Sequence, residues 1–169
     1  DEFGCEGVYT LTVDGPTRVD FQVTDLVNQS CFSPTASSDD GSVVVEGVGG
    51  GAPYDVSWTD MNTMISNNAQ TLNSLTVGGL TSSNWEIQVT DASGCLGLWN
   101  IDVIAPDSII VDLSLTDALC NGSNNGTANA SVTGGNGSYN INWGNSNPNA
   151  LSAGNYNLEV IDANGCSSG

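Results

Sequence analysis

A five-residue motif recurs three times along this chain. It reads D-x-x-G-C at Asp1–Cys5, Asp91–Cys95 and Asp162–Cys166. Register continues past the motif, because Cys5 to Pro16 and Cys95 to Pro106 are both 11 residues. A second block aligns without a gap, Gly49–Trp58 with Gly134–Trp143. A third pair, Leu80 to Asp91 and Leu151 to Asp162, again spans 11 residues in each copy. Only the stretch between the Trp and that Leu differs. Leu80 follows Trp58 by 22 positions and Leu151 follows Trp143 by 8, an insertion of 14 placed near residues 61–76. Such self-similarity marks a chain built from one supersecondary unit used repeatedly. The division it predicts is 1–15 as the closing strand of a preceding repeat, 16–105 as a complete repeat, and 106–169 as a repeat lacking its last strand. The whole is expected to be an excerpt of a longer chain.

Within each unit the hydrophobic period is 2. Val19, Phe21 and Val23 alternate with polar residues, as do Tyr54, Val56 and Trp58, and Trp85, Ile87 and Val89. Tyr139, Ile141 and Trp143, and Tyr156, Leu158 and Val160, repeat the pattern. Alternation of this kind gives strands with one buried face. Gly, Asn, Ser and Pro clusters separate the runs, and no stretch carries a helical period. About seven short strands per unit predict an all-β fold of tandem immunoglobulin-like β-sandwich repeats. Trp58 and Trp143 are expected to anchor the two cores. Val8 to Val13 reads as a lone strand. A lone strand has nothing to bury against, so an upstream repeat or a neighbouring copy is expected to order it.

Charge and composition narrow the function. The 169 residues include 19 acidic groups, one basic residue (Arg18) and no His, for a net charge of −18. Without Lys or His there is no imidazole base, no amine nucleophile and no Ser-His pair, so an enzyme is not expected. Nucleic acid is excluded as a partner, since nothing can neutralise phosphates. No apolar run approaches the roughly 20 residues a membrane-spanning helix needs.

Five cysteines occupy repeat-specific positions, early in a repeat (Cys31, Cys120) or late (Cys5, Cys95, Cys166). No C-x-x-C pair is present, which argues against a thiolate metal site. Equivalent positions should pair equivalently, giving disulfides Cys31–Cys95 and Cys120–Cys166, with Cys5 bonded to an upstream cysteine outside this chain. The rival pairing, Cys5–Cys31 and Cys95–Cys120, staples neighbouring repeats and leaves Cys166 odd. Either pairing implies an oxidising, extracellular compartment.

The Asp of the motif has a structural reading. Its carboxylate can bond the backbone two residues on, and the Gly supplies positive φ, so D-x-x-G-C is expected to be a turn between strands. The functional reading is calcium. Asp91, Asp102 and Asp107 fall near the repeat junction and can supply oxygen ligands. No other cofactor is expected.

Taken together, the early Cys, the Asn125-Gly126-Thr127-Ala128 run, the Gly-Gly-x-x-x-Tyr-x-x-x-Trp block, the Leu151–Tyr156 segment and the closing Asp-Ala-Asn-Gly-Cys resemble the SprB-type repeat. That repeat occurs in very large cell-surface proteins of Bacteroidota, including a gliding-motility adhesin. The resemblance covers almost all of 106–169 and most of 16–105, with Ser83 where the pattern has Gly. It implies an extracellular adhesin or filament exported by type IX secretion, and no catalytic residue carries over from it. Asp107-Ser108-Ile109 also resembles the O-glycosylation signal of the same bacteria, which makes Ser108 a candidate acceptor. Expected partners are neighbouring repeats, other copies in a filament, and surface glycans. The alternatives are a glycan- or protein-binding module using the 61–76 insertion, and a spacer attached to an enzyme elsewhere in the parent chain.

Overall fold

The computed structural model describes residues 9–15, 18–32 and 39–168. Among them are eleven strands and no helix: β1 (Phe21–Val27), β2 (Gly41–Gly47), β3 (Tyr54–Asp60), β4 (Ser66–Thr71), β5 (Ser74–Leu80), β6 (Ser83–Thr90), β7 (Leu96–Val103), β8 (Ile110–Thr116), β9 (Thr127–Thr133), β10 (Asn140–Asn142) and β11 (Glu159–Ile161). Every pairing is antiparallel. Two sheets serve the first repeat, ordered β1-β2-β5 and β4-β3-β6-β7. The second repeat holds the pairs β8-β9 and β10-β11.

Alternation places the core where the period predicts it. Val43 and Val45 of β2, Val56 of β3, Val77 and Leu80 of β5, and Trp85, Ile87 and Val89 of β6 turn inward into one cluster with Val19, Phe21, Tyr54 and Val103. Both sheets of the first repeat contribute to it, so their apolar faces share a single core, as in a sandwich. Phe21 meets Tyr54 edge-to-face, with ring centroids 5.4 Å apart. The core Trp is Trp85, whose indole N–H donates to the Thr81 carbonyl at 3.0 Å. Trp58, expected as the anchor, is only partly buried and packs against the cluster from its border. Both tryptophans sit on inner strands of the same sheet, Trp58 on β3 between β4 and β6 and Trp85 on β6 between β3 and β7, so packing across the sandwich and not strand order separates them.

The two repeats share one register. Val56↔Val89 in the first becomes Ile141↔Val160 in the second, and Gly41↔Leu80 becomes the bridge Gly126↔Leu151. Likewise Phe21↔Gly47 becomes Val111↔Val132. Cys31 follows Val19 by 12 residues, while Cys120 follows Ile109 by 11. The extra residue is a bulge between Val23 and Asp25, a register shift that β8 lacks. Val23 beside it is consequently 37 % exposed rather than core.

The 61–76 insertion is used as structure. β4 lies wholly inside it and adds an edge to β3, while β5 begins inside it and pairs with β2. The second repeat, 14 residues shorter here, keeps only the Gly126–Leu151 bridge. Residues 9–15 carry no strand, and Tyr9, Leu11 and Val13 are exposed. Val8 and the first D-x-x-G-C copy, with Cys5, lie outside the described residues.

Candidate functional site

In both repeats the recurring motifs converge on one construction. The Asp of D-x-x-G-C closes its own turn and then reaches across to the Gly-rich loop. In the first repeat the backbone N–H groups of Ser93 and Cys95 donate to Asp91 Oδ1 at 2.9 and 2.8 Å. Its Oδ2 accepts the Gly51 N–H at 3.1 Å. In the second, Asn164 and Cys166 donate to Asp162 Oδ1, both at 2.9 Å, and Asn136 donates its backbone N–H to Oδ2 at 2.8 Å. Gly94 and Gly165 turn the chain at φ +82° and +84°. The turn reading of the motif therefore holds, and the Asp also latches the loop before β3 or β10 to the end of β6 or β11.

The paired glycines are there for space as well as for φ. A Cβ on Gly50 (φ +71°) would meet Asp91 Oδ2 at 2.8 Å and Val19 Cγ2 at 2.8 Å. On Gly135 (φ +59°) it would meet Asp162 Oδ2 and Ile109 Cγ1, each at 2.8 Å. Tyr54 completes the latch by donating its hydroxyl to the Gly49 carbonyl at 2.8 Å, and Tyr139 bonds Gly134 in the same way.

Both carboxylates are buried, Asp91 5 % and Asp162 6 % exposed. The Cys95 amide, ahead of the cost of burial, holds the Asp91 pKa below the ordinary aspartate value. For Asp162 burial pushes upward, but the amides of Asn136, Cys166 and Asn164 outweigh it and the net shift is also downward. Such a carboxylate stays ionised and makes a weak base at neutral pH, so its chemistry is to hold backbone amides.

Asp91 thus has its oxygens committed to N–H donors. Asp102 accepts the Asn84 side-chain amide at 2.8 Å on the exposed face of β7, and Asp107 is exposed on the segment before β8. No cluster of three or more metal-ligating acids or cysteines forms among the described residues, so the structure does not bring the three calcium candidates together. Ser108 is half-buried, and its carbonyl lies against Gly134, leaving no room for a Cβ there.

The disulfide differs from the expectation. Cys31 is bonded to Cys166 with Cα atoms 5.5 Å apart, while Cys95 and Cys120 are free thiols. Neither Cys31–Cys95 nor Cys120–Cys166 forms. The reason lies at Asn136, which stands where the first repeat has Gly51. Its side-chain amide donates to the Ser30 carbonyl at 2.8 Å, and Asn164 donates to the same oxygen at 3.4 Å. Asp40 fixes Ser30 from behind by accepting its N–H at 3.0 Å. The early loop of the first repeat is thereby held against the latch of the second, and its cysteine bonds there. Equivalence between repeats predicts pairing within each unit and misses this contact between units.

Two further polar groups had no sequence signal assigned to them. Asp60, buried, accepts the Asn62 N–H, the Thr63 hydroxyl and the Ser83 hydroxyl, at 2.9, 2.9 and 2.5 Å. Burial raises its pKa, but these donors prevail and the net shift is downward. Gln29, also buried, accepts the Ser82 N–H at 2.7 Å and donates its backbone N–H to the Ile104 carbonyl at 3.0 Å. An acid closing a strand, as Asp60 closes β3 ahead of Asn62 and Thr63, is a readable turn signal.

This geometry gives the sequence resemblance a physical basis, and comparison with known families agrees with it. Residues 113–148 match the SprB repeat. The matched span runs from within β8 through Cys120, β9, the Gly134–Gly135 pair and β10. Asp162 and Cys166, the other half of the latch, lie beyond it. The first repeat shares the strand register and the latch of the second. No curated protein and no solved structure matches the chain. No helix among the described residues is long and apolar enough to cross a membrane.

Proposed function

We propose that this chain is a structural and adhesive segment of a large, secreted cell-surface protein of the SprB-repeat kind. In this reading it consists of tandem immunoglobulin-like units that act without catalysis. One observation carries the reading: the Gly-rich block and the D-x-x-G-C motif that recur in both repeats build the same latch, so what the repetition preserves is a fold. The 61–76 insertion supports a spacer role over a binding loop, since it is used as β4 and the start of β5. Connection to gliding motility and export by type IX secretion belong to the same reading, as does modification at Ser108. A segment of this kind holds a binding tip away from the cell, its excess negative charge keeping neighbouring copies soluble.

The test is accessibility. Proteinase treatment of intact cells carrying the parent protein is expected to release peptides from 16–169 into the medium. Recovery of those peptides only after cell lysis rejects the surface location.

A further inference from the structure

We infer that the outer edge of β4 is a self-association site, along which a second copy of this chain lays its own β4 antiparallel. β4 ends its sheet, with β3 on one side and no described residue paired on the other. Two hydrogen bonds show which backbone groups face outward. The Asp60 N–H donates to the Ile65 carbonyl at 3.0 Å, and the Met61 N–H to the Asn84 carbonyl at 3.0 Å. Even-numbered residues of β3 therefore bond β4 and odd-numbered ones bond β6, since an antiparallel ladder alternates. On β4 the residues bonded to β3 are Asn67, Ala69 and Thr71. Ser66, Asn68 and Gln70 turn their N–H and C=O groups away from the sheet.

Terminal strands invite pairing with another chain, and charges, bulges and prolines are the usual protection. The other terminal strands of the first repeat are protected. β1 carries Asp25 with a bulge beside it, β7 carries Asp102, and β5 shifts register at Gly79, whose φ is +73°. β4 has no charge, no proline and an unbroken register. All of 61–85 is uncharged, in a chain of net charge −18. Apolar side chains stand out at both ends of the edge: Met64 and Ile65 before it, 68 and 61 % exposed, and Leu72 after it, 68 % exposed. Buried Asp60 fixes the turn that presents Met64 and Ile65 by accepting the Asn62 N–H and the Thr63 hydroxyl, each at 2.9 Å.

These features select the occupant. Pairing about a two-fold axis at Asn68 sets Asn68 opposite Asn68 of the second copy and Ser66 opposite its Gln70, so outward groups meet outward groups along the strand. The same register brings Leu72 of each copy to Met64 of the other. Centring the pair on Ser66 or Gln70 shortens the ladder and leaves Leu72 and Met64 unmatched. An uncharged edge has nothing to attract an oppositely charged partner, and it lets two acidic chains meet without setting like charges face to face. Main-chain hydrogen bonds then join two four-stranded sheets into one, through an isologous contact that closes at two copies. The second repeat, which lacks the insertion, has no counterpart of β4 among its described strands. The insertion thus supplies a lateral joint that the repeated unit itself does not.

The experiment uses the full chain with its free thiols alkylated, which keeps the Cys31–Cys166 bond and prevents covalent dimers. Asn68→Pro removes an N–H that faces outward, so it breaks no bond to β3, and the dilute variant should melt like the unaltered chain. Asn68→Asp leaves the backbone unchanged and sets two carboxylates face to face at the two-fold axis; if Asn68→Pro melts lower, Asn68→Asp decides. The unaltered chain is expected to sediment as a monomer when dilute and as a dimer, with no longer species, as concentration rises. Amide exchange followed by NMR is expected to slow by at least about tenfold at Ser66, Asn68 and Gln70, with Asn67 and Ala69 changing less. Both variants should stay monomeric. A chain that remains monomeric up to its solubility limit overturns the inference. Association that persists in Asn68→Asp, or that leaves the three alternate amides unprotected, overturns it as well.

Discussion

Asp91 Oδ2 lies 3.1 Å from the backbone nitrogen of Gly51, a residue 40 positions earlier in the chain. One carboxylate thus joins the turn after β6 to the loop before β3, and Asp162 does the same for β11 and β10 through Asn136. Replacing Asp91 by Ala leaves the amides of Gly51, Ser93 and Cys95 without their acceptor. The expected result is a melting temperature lower by several degrees, measured by circular dichroism, with Asp91→Asn intermediate because it keeps one acceptor oxygen. An unchanged melt for Asp91→Ala means the latch contributes nothing.

Gly50 tests the space beside that carboxylate. Gly50→Ala combines φ +71° with a Cβ 2.8 Å from both Asp91 Oδ2 and Val19 Cγ2. A destabilisation of about 1–3 kcal/mol is expected from urea denaturation. Gly51→Ala, where nothing lies within 4 Å of the added Cβ, should cost much less.

The pH dependence follows from four depressed carboxyls, Asp40, Asp60, Asp91 and Asp162. An unfolded aspartate titrates near about 3.9, and each folded pKa lies lower. The unfolded chain therefore binds more protons in that window, so stability falls as pH falls. Thermal melts should be flat from neutrality down to about pH 5 and drop steeply below about pH 4. Asp91→Asn should make the drop shallower; equal steepness in the two proteins would contradict the assignment.

Trp85 and Trp58 separate the buried anchor from the bordering one. Trp85→Ala empties a core site and is expected to cost about 3–5 kcal/mol. Trp58→Ala, at a partly buried position, should cost distinctly less. Equal losses in chemical denaturation would return Trp58 to the core.

Non-reducing peptide mapping is expected to recover Cys31 linked to Cys166 and to find Cys95 and Cys120 alkylated. The bond closes a sequence separation of 135, and the loop-entropy model assigns it about 5 kcal/mol of stability. Cys31→Ser should lower the melting temperature accordingly. A recovered Cys31–Cys95 peptide would instead restore pairing within the repeat.

Much of this protein was legible before any coordinates. Period-2 alternation fixed the strands and their inward faces at Val56, Ile87 and Val89, because a pleated strand sends successive side chains to opposite faces. The recurring D-x-x-G-C gave the turn, since Asp and Gly have local reasons to be there, and the spacing between copies located the insertion. What tertiary structure alone decided is what depends on residues distant in sequence. Asp91 meeting Gly51, Trp85 rather than Trp58 at the centre, and the absence of a metal-ligating cluster among the described residues are facts of tertiary packing. The disulfide is the clearest case. Local sequence makes Cys31 equivalent to Cys120, but bonding needs two Cα atoms within a few ångströms. That approach is set by the Asn136 amide on the Ser30 carbonyl, a contact across 106 residues that no repeat pattern encodes.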